Sequence, residues 1–268
     1  MVIADALRGA TARLASVSDT PRLDAEMLMA HALGVSREAM LLSAPPDAVP
    51  AGFEPLLRRR LAHEPIAYIV GRKGFWTIDL AVTPAVLIPR PESETLIEAA
   101  IDHFGSRAPG RILDLGTGSG ALLLAALAQW PEAAGEGVDL SRAALVVAAA
   151  NAWRLEMEGR ARFLRCGWKG DPRADLILCN PPYIGADEHL PPSVARHEPA
   201  SALYAGADGL DAYRLIAPLL DFAPGGVACI EIGATQAAAV SALFAEQGFA
   251  VALRRDLGGR DRCLAITR

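Results

Sequence analysis

The sequence of 268 residues has few of the features that mark metal sites, disulfide frameworks or membrane proteins. Its four cysteines form no C-x-x-C pair and its five histidines show no ligand spacing, so we predict neither a disulfide framework nor a metal site. No segment is apolar for long enough to span a membrane, and the N-terminus mixes charged and apolar residues, unlike a signal peptide. These absences predict a cytoplasmic protein that binds neither metal nor membrane.

Positive charge is also scarce. The chain has 26 Lys and Arg against 31 Asp and Glu, a formal net charge of -5. A negative overall field repels phosphate backbones, so nucleic acid is a disfavoured partner. Hydrophobic residues make up 52% of the composition, which is enough for a sizeable core. The length favours one large catalytic domain with a small accessory domain.

Three segments with different patterns follow one another along the chain. Residues 1–72 show the apolar periodicity of short helices, and we predict a small N-terminal helical domain. Residues 73–90 combine a stretch of alternating residues with closely spaced prolines, which is typical of a hairpin linker. Residues 91–268 alternate strand and helix patterns, so we predict that they form the catalytic domain.

The pattern of residues 91–268 predicts an α/β fold with a Rossmann-like sheet. Such alternation of strands and helices implies parallel strands. Leu257 to Arg260 is too short for a helical crossover, so the last two strands should be antiparallel to each other. The predicted strands lie at 111–115, 136–140, 161–166, 174–179, 226–232, 249–255 and 262–267, and the predicted helices at 120–130, 141–157, 209–222 and 235–246.

A glycine-rich turn follows the first of these strands. Its G-x-G-x-G spacing permits a tight turn, a close approach to a ligand and the start of a helix. Asp139 ends the second strand, where a carboxylate can accept both ribose hydroxyls of an adenosine ligand or only cap the next helix. The carboxylate of Asp114 beside the turn repels phosphates and suits a sulfonium, which favours S-adenosylmethionine over NAD. The candidate cofactor-binding residues are Gly116, Thr117, Gly118, Ser119, Gly120 and Asp139.

The sequence Asn-Pro-Pro-Tyr follows the fourth strand, at the edge where open α/β sheets place their ligands. Its two prolines have no N–H, so the loop presents the side-chain oxygen of Asn180 and the carbonyl of Pro181 as acceptors. These can hold both N–H bonds of a planar amide or amine while its lone pair points at an electrophilic methyl group, and Tyr183 can stack on the planar group. A turn that merely ends a strand is the alternative. Asn180, Pro181 and Tyr183 are the candidate catalytic residues, and Asn180, Pro181, Pro182 and Tyr183 the candidate substrate-binding residues.

The chain resembles the release factor glutamine methyltransferases, which modify the glutamine of the Gly-Gly-Gln motif in class I peptide release factors. The resemblance extends over nearly the whole chain. It is carried by Pro65–Gly71, Phe75-Trp76, Leu87–Glu94, Asp114–Gly120, Asn180–Ile184, and Glu198-Pro199 followed by Asp208–Leu210.

This resemblance implies a class I methyltransferase sheet, S-adenosylmethionine as the cofactor and a class I release factor as the protein substrate. It also implies that the N-terminal helical domain recognises the release factor, that Trp168 lies beside the adenine, and that Asn180 lies close to the cofactor methyl. The chain departs from the family at Gly167, where an acidic residue is common, and this departure concerns the adenine contact. The alternatives are an adenine or ribosomal methyltransferase acting on RNA or DNA with the same Asn-Pro-Pro-Tyr chemistry, and a non-catalytic scaffold that binds the cofactor.

Overall fold

The computed structural model describes residues 2–42 and 48–268. The chain divides into two compact units. The first comprises Met1–Arg72 together with Leu190–His197, and the second comprises Lys73–His189 together with Glu198–Arg268. None of the helices in the described ranges is long and apolar enough to cross a membrane.

The first unit is helical. Its helices α1 to α5 pack around a core that includes the fully buried Leu28 and the almost fully buried Leu57. Helix α2 begins with a proline and ends at Gly34, whose left-handed conformation (φ 70°) lets its N–H reach the last carbonyls of the helix. The guanidinium of Arg60 pairs with the carboxylate of Asp24 at 2.7 Å, and both side chains are buried. The bounds are α1 Ile3–Leu14, α2 Pro21–Leu33, α3 Arg37–Leu42, α4 Phe53–Leu61 and α5 Ile66–Val70.

A two-stranded sheet and then a seven-stranded sheet with its helices follow along the chain. In chain order the elements are β1 Arg72–Phe75, β2 Ile78–Ala81, α6 Glu94–Phe104, β3 Arg111–Leu115, α7 Ala121–Gln129, β4 Ala134–Asp139, α8 Arg142–Arg154, β5 Ala161–Arg165, β6 Leu176–Cys179, α9 Pro192–Ala195, α10 Asp211–Ile216, β7 Val227–Glu231, α11 Ala237–Ala245, β8 Ala250–Arg255 and β9 Asp261–Thr267. Short 3₁₀ helices cover Pro91–Ser93, Ala200–Ala202 and Ala217–Leu219. Of these elements, α9 belongs to the first unit.

The strand order of the large sheet is β5-β4-β3-β6-β7-β9-β8. Strands β3 to β7 are mutually parallel, and β9 is antiparallel to both of its neighbours. The predicted α/β fold and the antiparallel pairing of the last two strands are therefore confirmed. The last strand does not lie at the edge of the sheet, because it inserts between β7 and β8.

The predicted helix at 209–222 is the clearest difference from the sequence-based expectation. Regular α-helix covers only Asp211–Ile216, and a 3₁₀ helix follows at Ala217–Leu219. Pro218 has no N–H to donate to the carbonyl of Arg214, so the α-helical hydrogen bonding cannot continue through it. The helix predicted at 141–157 ends at Arg154 and is followed by Glu156 in a left-handed conformation (φ 58°).

Alternate residues of the central strands enter two apolar cores, one on each face of the sheet. Ile112 of β3 joins the core formed with α6 and α7, whereas Leu113 and Leu115 join the core formed with α10 and α11. Strand β6 is buried along its whole length. This double burial is typical of a central parallel strand.

The register of the parallel strands fixes the position of the cleft. Leu115 at the end of β3 pairs with Val138 of β4 on one side and with Cys179 of β6 on the other. The glycine turn, Asp139 and Asn180 therefore all lie at the carboxyl ends of neighbouring strands. Ligands of open α/β sheets bind at this edge.

Candidate active site

The glycine turn leaves β3 in a conformation that favours glycine. Gly116, Gly118 and Gly120 have φ values of 72°, 56° and 82°, in the left-handed region that costs other residues roughly 1–2 kcal/mol. The backbone N–H groups of Gly116 and Thr117 both donate to the carbonyl of Val138, at 2.9 Å each. The turn is thus fixed to the neighbouring strand β4.

Asp139 holds the turn from the other side. Its Oδ2 accepts a hydrogen bond from the backbone N–H of Gly118 at 3.0 Å, and its Oδ1 accepts one from the N–H of Ser141 at 2.8 Å. The cap of α8 is Ser141, whose hydroxyl accepts from the N–H of Ala144. Each oxygen of Asp139 keeps a second lone pair, so the carboxylate can still accept hydroxyl donors from a ligand.

Asp114 lies behind the turn and is 1% exposed. Its Oδ2 accepts from the hydroxyl of Thr117 at 2.6 Å and from the N–H of Leu123 at 3.3 Å. Its Oδ1 is buried and has no hydrogen-bond partner within the described chain. Burial, with a smaller contribution from Asp139, raises the pKa of Asp114 to about 7. A bound cation nearby would favour the ionised form.

Trp168 lies against the glycine turn. A Cβ atom placed on Gly116 would come within 3.3 Å of the indole Cζ3 of Trp168, so the absence of a side chain there allows the ring to approach the backbone. Gly120 has a different environment. A Cβ atom there would meet Leu124 Cδ1 at 3.1 Å and Ala148 Cβ at 3.3 Å, so this glycine permits close packing of α7 against α8.

A cleft lies over the turn, and the empty space in and above it, including the open solvent at its mouth, is about 1060 Å³. Eight candidate residues line it: Gly116, Thr117, Gly118, Ser119, Asp139, Trp168, Asn180 and Pro182. Within the described part of the chain, Gly120, Pro181 and Tyr183 are not among its lining residues. The remaining wall includes 85–87, Pro89, Ser93, Pro199, Ser201 and Ala202.

The amide of Asn180 is oriented by one hydrogen bond. Its Nδ2 donates to the hydroxyl of Ser93 at 3.1 Å, whereas its Oδ1 accepts no hydrogen bond from the described residues. The side-chain oxygen of Asn180 is therefore available as an acceptor.

Tyr183 is anchored at both ends. Its hydroxyl donates to Glu231 Oε1 at 3.2 Å, and its carbonyl accepts from the side-chain amide of Gln236 at 3.0 Å. Burial and the charge of Glu231 raise the pKa of Tyr183. The phenol therefore stays neutral and acts as a hydrogen-bond donor at physiological pH.

Sequence relatives cover almost the whole chain. It is 42% identical to the release factor glutamine methyltransferase of Rhodospirillum rubrum over 272 residues, with 97% of this chain and 83% of that protein covered. It is 44% identical to the enzyme of the same name from Cereibacter sphaeroides, with 99% and 98% covered. The chain belongs to the release factor glutamine methyltransferase family. Family models agree, since the PrmC N-terminal domain matches residues 5–71 and the methyltransferase small domain matches residues 93–196.

Solved structures share the fold of the second unit's sheet. The chain superimposes on a methyltransferase from Pyrococcus furiosus with a TM-score of 0.51 and 16% identity, covering 78% of this chain and 95% of that one. It superimposes on the hMettl16 catalytic domain, solved in complex with an RNA hairpin of a 3'UTR, with a TM-score of 0.57 and 17% identity, covering 71% and 75%. At these identities the likeness establishes the class I methyltransferase fold.

Two buried carboxylates of this family member were not among the candidate site residues of the sequence analysis. Glu231, which is 1% exposed, accepts hydrogen bonds from Ser93 and Tyr183. Glu198 accepts from the backbone N–H of Ile88 at 3.1 Å and from Arg90 at 2.5 Å. The signal for Glu231 was an acidic residue inside an otherwise apolar strand, since Lys, Glu, Arg and Asp are almost never fully buried unless paired.

Glu198 joins two cleft walls of this methyltransferase. Residues 85–87 and Pro89 line one part of the cleft, and Pro199, Ser201 and Ala202 line another. Glu198 directly precedes Pro199 and accepts hydrogen bonds from Ile88 and Arg90. It therefore connects these two parts of the cleft wall. No group of three or more His, Cys, Asp or Glu side chains within residues 2–42 and 48–268 is arranged to hold a metal ion.

Proposed function

We propose that this chain transfers a methyl group from S-adenosylmethionine to the side-chain amide nitrogen (N5) of the glutamine in the Gly-Gly-Gln motif of class I peptide release factors, with S-adenosylhomocysteine as the second product. Membership of the family supports the reaction. The observation that carries the proposal is the amide of Asn180, which lines the cleft beside the glycine turn while its NH2 group is bonded to Ser93. An acceptor oxygen in this position suits a substrate that brings an NH2 group.

The residues around the turn fit the cofactor. Bare backbone at Gly116 and Gly118 would accept the methionine part, Asp139 the ribose hydroxyls, and Trp168 the adenine. The unpartnered buried oxygen of Asp114 places a carboxyl group behind the turn, where a positively charged ligand would be favoured over a phosphate. S-adenosylmethionine supplies an electrophilic methyl group at a sulfonium. Thr117 and Ser119, which line the same cleft, complete this proposed cofactor site.

The tetrapeptide would hold the substrate glutamine. In the proposed mechanism the Asn180 oxygen and the Pro181 carbonyl accept the two N–H bonds of the glutamine amide, and this fixes the nitrogen lone pair in line with the methyl group. Tyr183, with Pro182 beside it, would stack against the planar amide. The nitrogen loses its surplus proton readily once it is methylated, so positioning replaces a strong base.

The helical unit has a proposed role of its own. Residues 5–71 match the PrmC N-terminal domain, and we propose that this unit recognises the body of the release factor while the cleft receives the glutamine. The net charge of -5 disfavours a nucleic acid in that role. The proposed site of action is the cytoplasm, where release factors meet the ribosome.

Methyl transfer to a purified release factor tests this function. The chain is incubated with methyl-labelled cofactor and a class I release factor, and the modified residue is mapped by mass spectrometry. We expect one methyl group on the glutamine of the Gly-Gly-Gln motif and none on a release factor in which that glutamine is replaced by glutamate. Label in RNA or DNA, with none in the release factor, would instead establish the amino methyltransferase alternative.

A further inference from the structure

Four side chains from three separate parts of the chain form one hydrogen-bonded chain behind the cleft. Asn180 Nδ2 donates to Ser93 Oγ at 3.1 Å, Ser93 Oγ donates to Glu231 Oε2 at 2.5 Å, and the Tyr183 hydroxyl donates to Glu231 Oε1 at 3.2 Å. Ser93 and Glu231 are 3% and 1% exposed. Both ends of the tetrapeptide are thus tied to one buried carboxylate.

The fold explains why these groups meet. Asn180 follows β6 and Glu231 ends β7, and these strands are parallel neighbours in which Cys179 pairs with Ile230. Ser93 ends the 3₁₀ helix that precedes α6. Asn180 and Glu231 are therefore adjacent at the sheet edge, and the hydroxyl of Ser93 bridges them.

When Glu231 is ionised, only one assignment of donors and acceptors satisfies all of these hydrogen bonds. A carboxylate only accepts hydrogen bonds, so it takes the single hydroxyl proton of Ser93. Ser93 then offers only lone pairs to Asn180, which must turn its NH2 group toward Ser93. The Asn180 oxygen is thereby directed away from Ser93. The two ends of a side-chain amide have nearly the same shape, so hydrogen bonding decides between the orientations.

We propose that Ser93 and Glu231 are positioning residues that fix the orientation of the Asn180 amide, so that the cleft presents an oxygen acceptor and selects substrates that bring an NH2 group. This inference rests on the proposed function, and it adds an explanation of why the Asn180 oxygen, the proposed acceptor, faces the cleft. Neither residue needs to touch the substrate for this role.

Replacing Glu231 with glutamine would keep the size of the side chain. It would remove the fixed order of donors and acceptors in the hydrogen bonds that link Glu231, Ser93 and Asn180. A glutamine can donate its own NH2 to Ser93, whose proton is then free to turn toward Asn180. In that arrangement the Asn180 oxygen faces Ser93 and the cleft receives an NH2 group, which cannot accept from a substrate amide. Ser93→Ala removes the bridge altogether, whereas Ser93→Thr keeps the hydroxyl.

The charged and titratable surroundings of Glu231 have opposing effects. Burial raises the pKa of Glu231 to about 7 and Glu92 contributes in the same direction, whereas the hydroxyls of Ser93 and Tyr183 and the charge of Arg262 lower it. Cys179, Tyr213 and Cys263 also interact with Glu231, and these three groups stay neutral because burial raises their pKa values. Ionised Glu231, and with it the proposed proton order, is therefore favoured as the pH rises through about 7.

Kinetics of release-factor methylation test the inference. We expect Glu231→Gln and Ser93→Ala each to lower kcat on the order of 10-fold or more, while the dissociation constant for S-adenosylmethionine, measured by calorimetry, stays within about twofold. Ser93→Thr should restore most of the turnover. The ratio of the unaltered rate to the Glu231→Gln rate should increase between about pH 6 and pH 8, because only the unaltered chain gains the ionised carboxylate.

Two control variants lie outside the cleft. Glu136→Gln removes a buried carboxylate of β4 that pairs with Arg162 at 2.6 Å, and Ser241→Ala removes a hydroxyl on α11. Both should leave kcat unchanged. Near-normal turnover of Glu231→Gln, or equal losses in Ser93→Thr and Ser93→Ala, would overturn the positioning role.

A readout without substrate separates this inference from the proposed function. The side-chain NH2 resonance of Asn180, assigned by its absence in Asn180→Ala, should exchange slowly with solvent in the unaltered protein and faster in Ser93→Ala and Glu231→Gln. Unchanged exchange in both variants contradicts the inference even if the release factor is methylated. Faster exchange with no methylated release factor would support the orientation and count against the function.

Discussion

The two loops that line the cleft follow neighbouring strands but are built in opposite ways. The glycine turn after β3 exposes backbone, and three of its residues have positive φ values. The Asn-Pro-Pro-Tyr loop after β6 presents acceptor oxygens and depends on Ser93 and Glu231, which lie 87 and 48 positions away from their partners in the loop. The backbone conformation of the glycine turn depends on its own glycines, whereas the orientation of the Asn180 side chain requires distant residues.

This difference separates two kinds of constraint. A glycine turn fails when a side chain is added, because the cost arises locally from the backbone and its nearest neighbours. An oriented amide fails when a partner is lost elsewhere in the fold, because the loop itself offers nothing to hold it. Substitutions in the two loops should therefore damage different properties of the protein.

The largest effect should come from Asn180→Ala. This change removes the proposed acceptor from the Asn-Pro-Pro-Tyr loop and leaves the glycine turn intact, so we expect kcat to fall on the order of 10²-fold or more. The fold should persist, because Asn180 is only partly buried and lies after the end of β6. Steady-state methylation of a release factor, together with circular dichroism, measures both properties. A variant with near-normal turnover would refute the catalytic role of Asn180.

A smaller effect, on stability, should come from the glycine turn. Gly120→Ala places a Cβ in a left-handed residue (φ 82°) and 3.1 Å from Leu124, so we expect a loss of about 2–3 kcal/mol. Gly225→Ala is the matched control, since its φ is 78° and nothing lies within 4 Å of the added atom. The control should lose only the backbone cost of roughly 1–2 kcal/mol. Urea unfolding measures both, and equal losses would show that packing of α7 against α8 does not constrain this glycine.

The third prediction concerns the pH dependence of stability. The pKa of Asp114 is raised to about 7 by burial, so its stabilising contribution is fully present below the ordinary value of about 4 and is lost as the pH rises toward 7. Asp114→Asn removes this dependence. The free energy of unfolding of the variant, relative to the unaltered protein, should therefore increase between about pH 4.5 and pH 7, as measured by urea unfolding without cofactor.

Asp208→Asn provides the control of opposite sign. The hydrogen bond from Arg214 lowers the pKa of Asp208 to about 2, so its contribution is lost only as the pH falls toward that value. Relative to the unaltered protein this variant should show no slope between about pH 4.5 and pH 7. If the free energy of unfolding of both variants, relative to the unaltered protein, changed with pH in the same way, burial of Asp114 would not be the cause of the change.

The sequence by itself determined the elements of the cleft. Alternation of strand and helix patterns predicted the parallel sheet, the short Leu257–Arg260 connection predicted the antiparallel pair, and the glycine spacing marked the turn after β3. These features depend on residues close together along the chain, where periodicity and the conformational freedom of glycine act directly.

Only the tertiary structure decided what lies behind the cleft. Insertion of β9 between β7 and β8, the bond from Asn180 to Ser93, and the burial of Glu231 at the end of β7 all join residues that are far apart in sequence. Local patterns carry no information on which distant side chain will satisfy a buried polar group. That choice is made when the sheet assembles, because a buried carboxylate or amide must find its partners among the groups that the strand order places beside it.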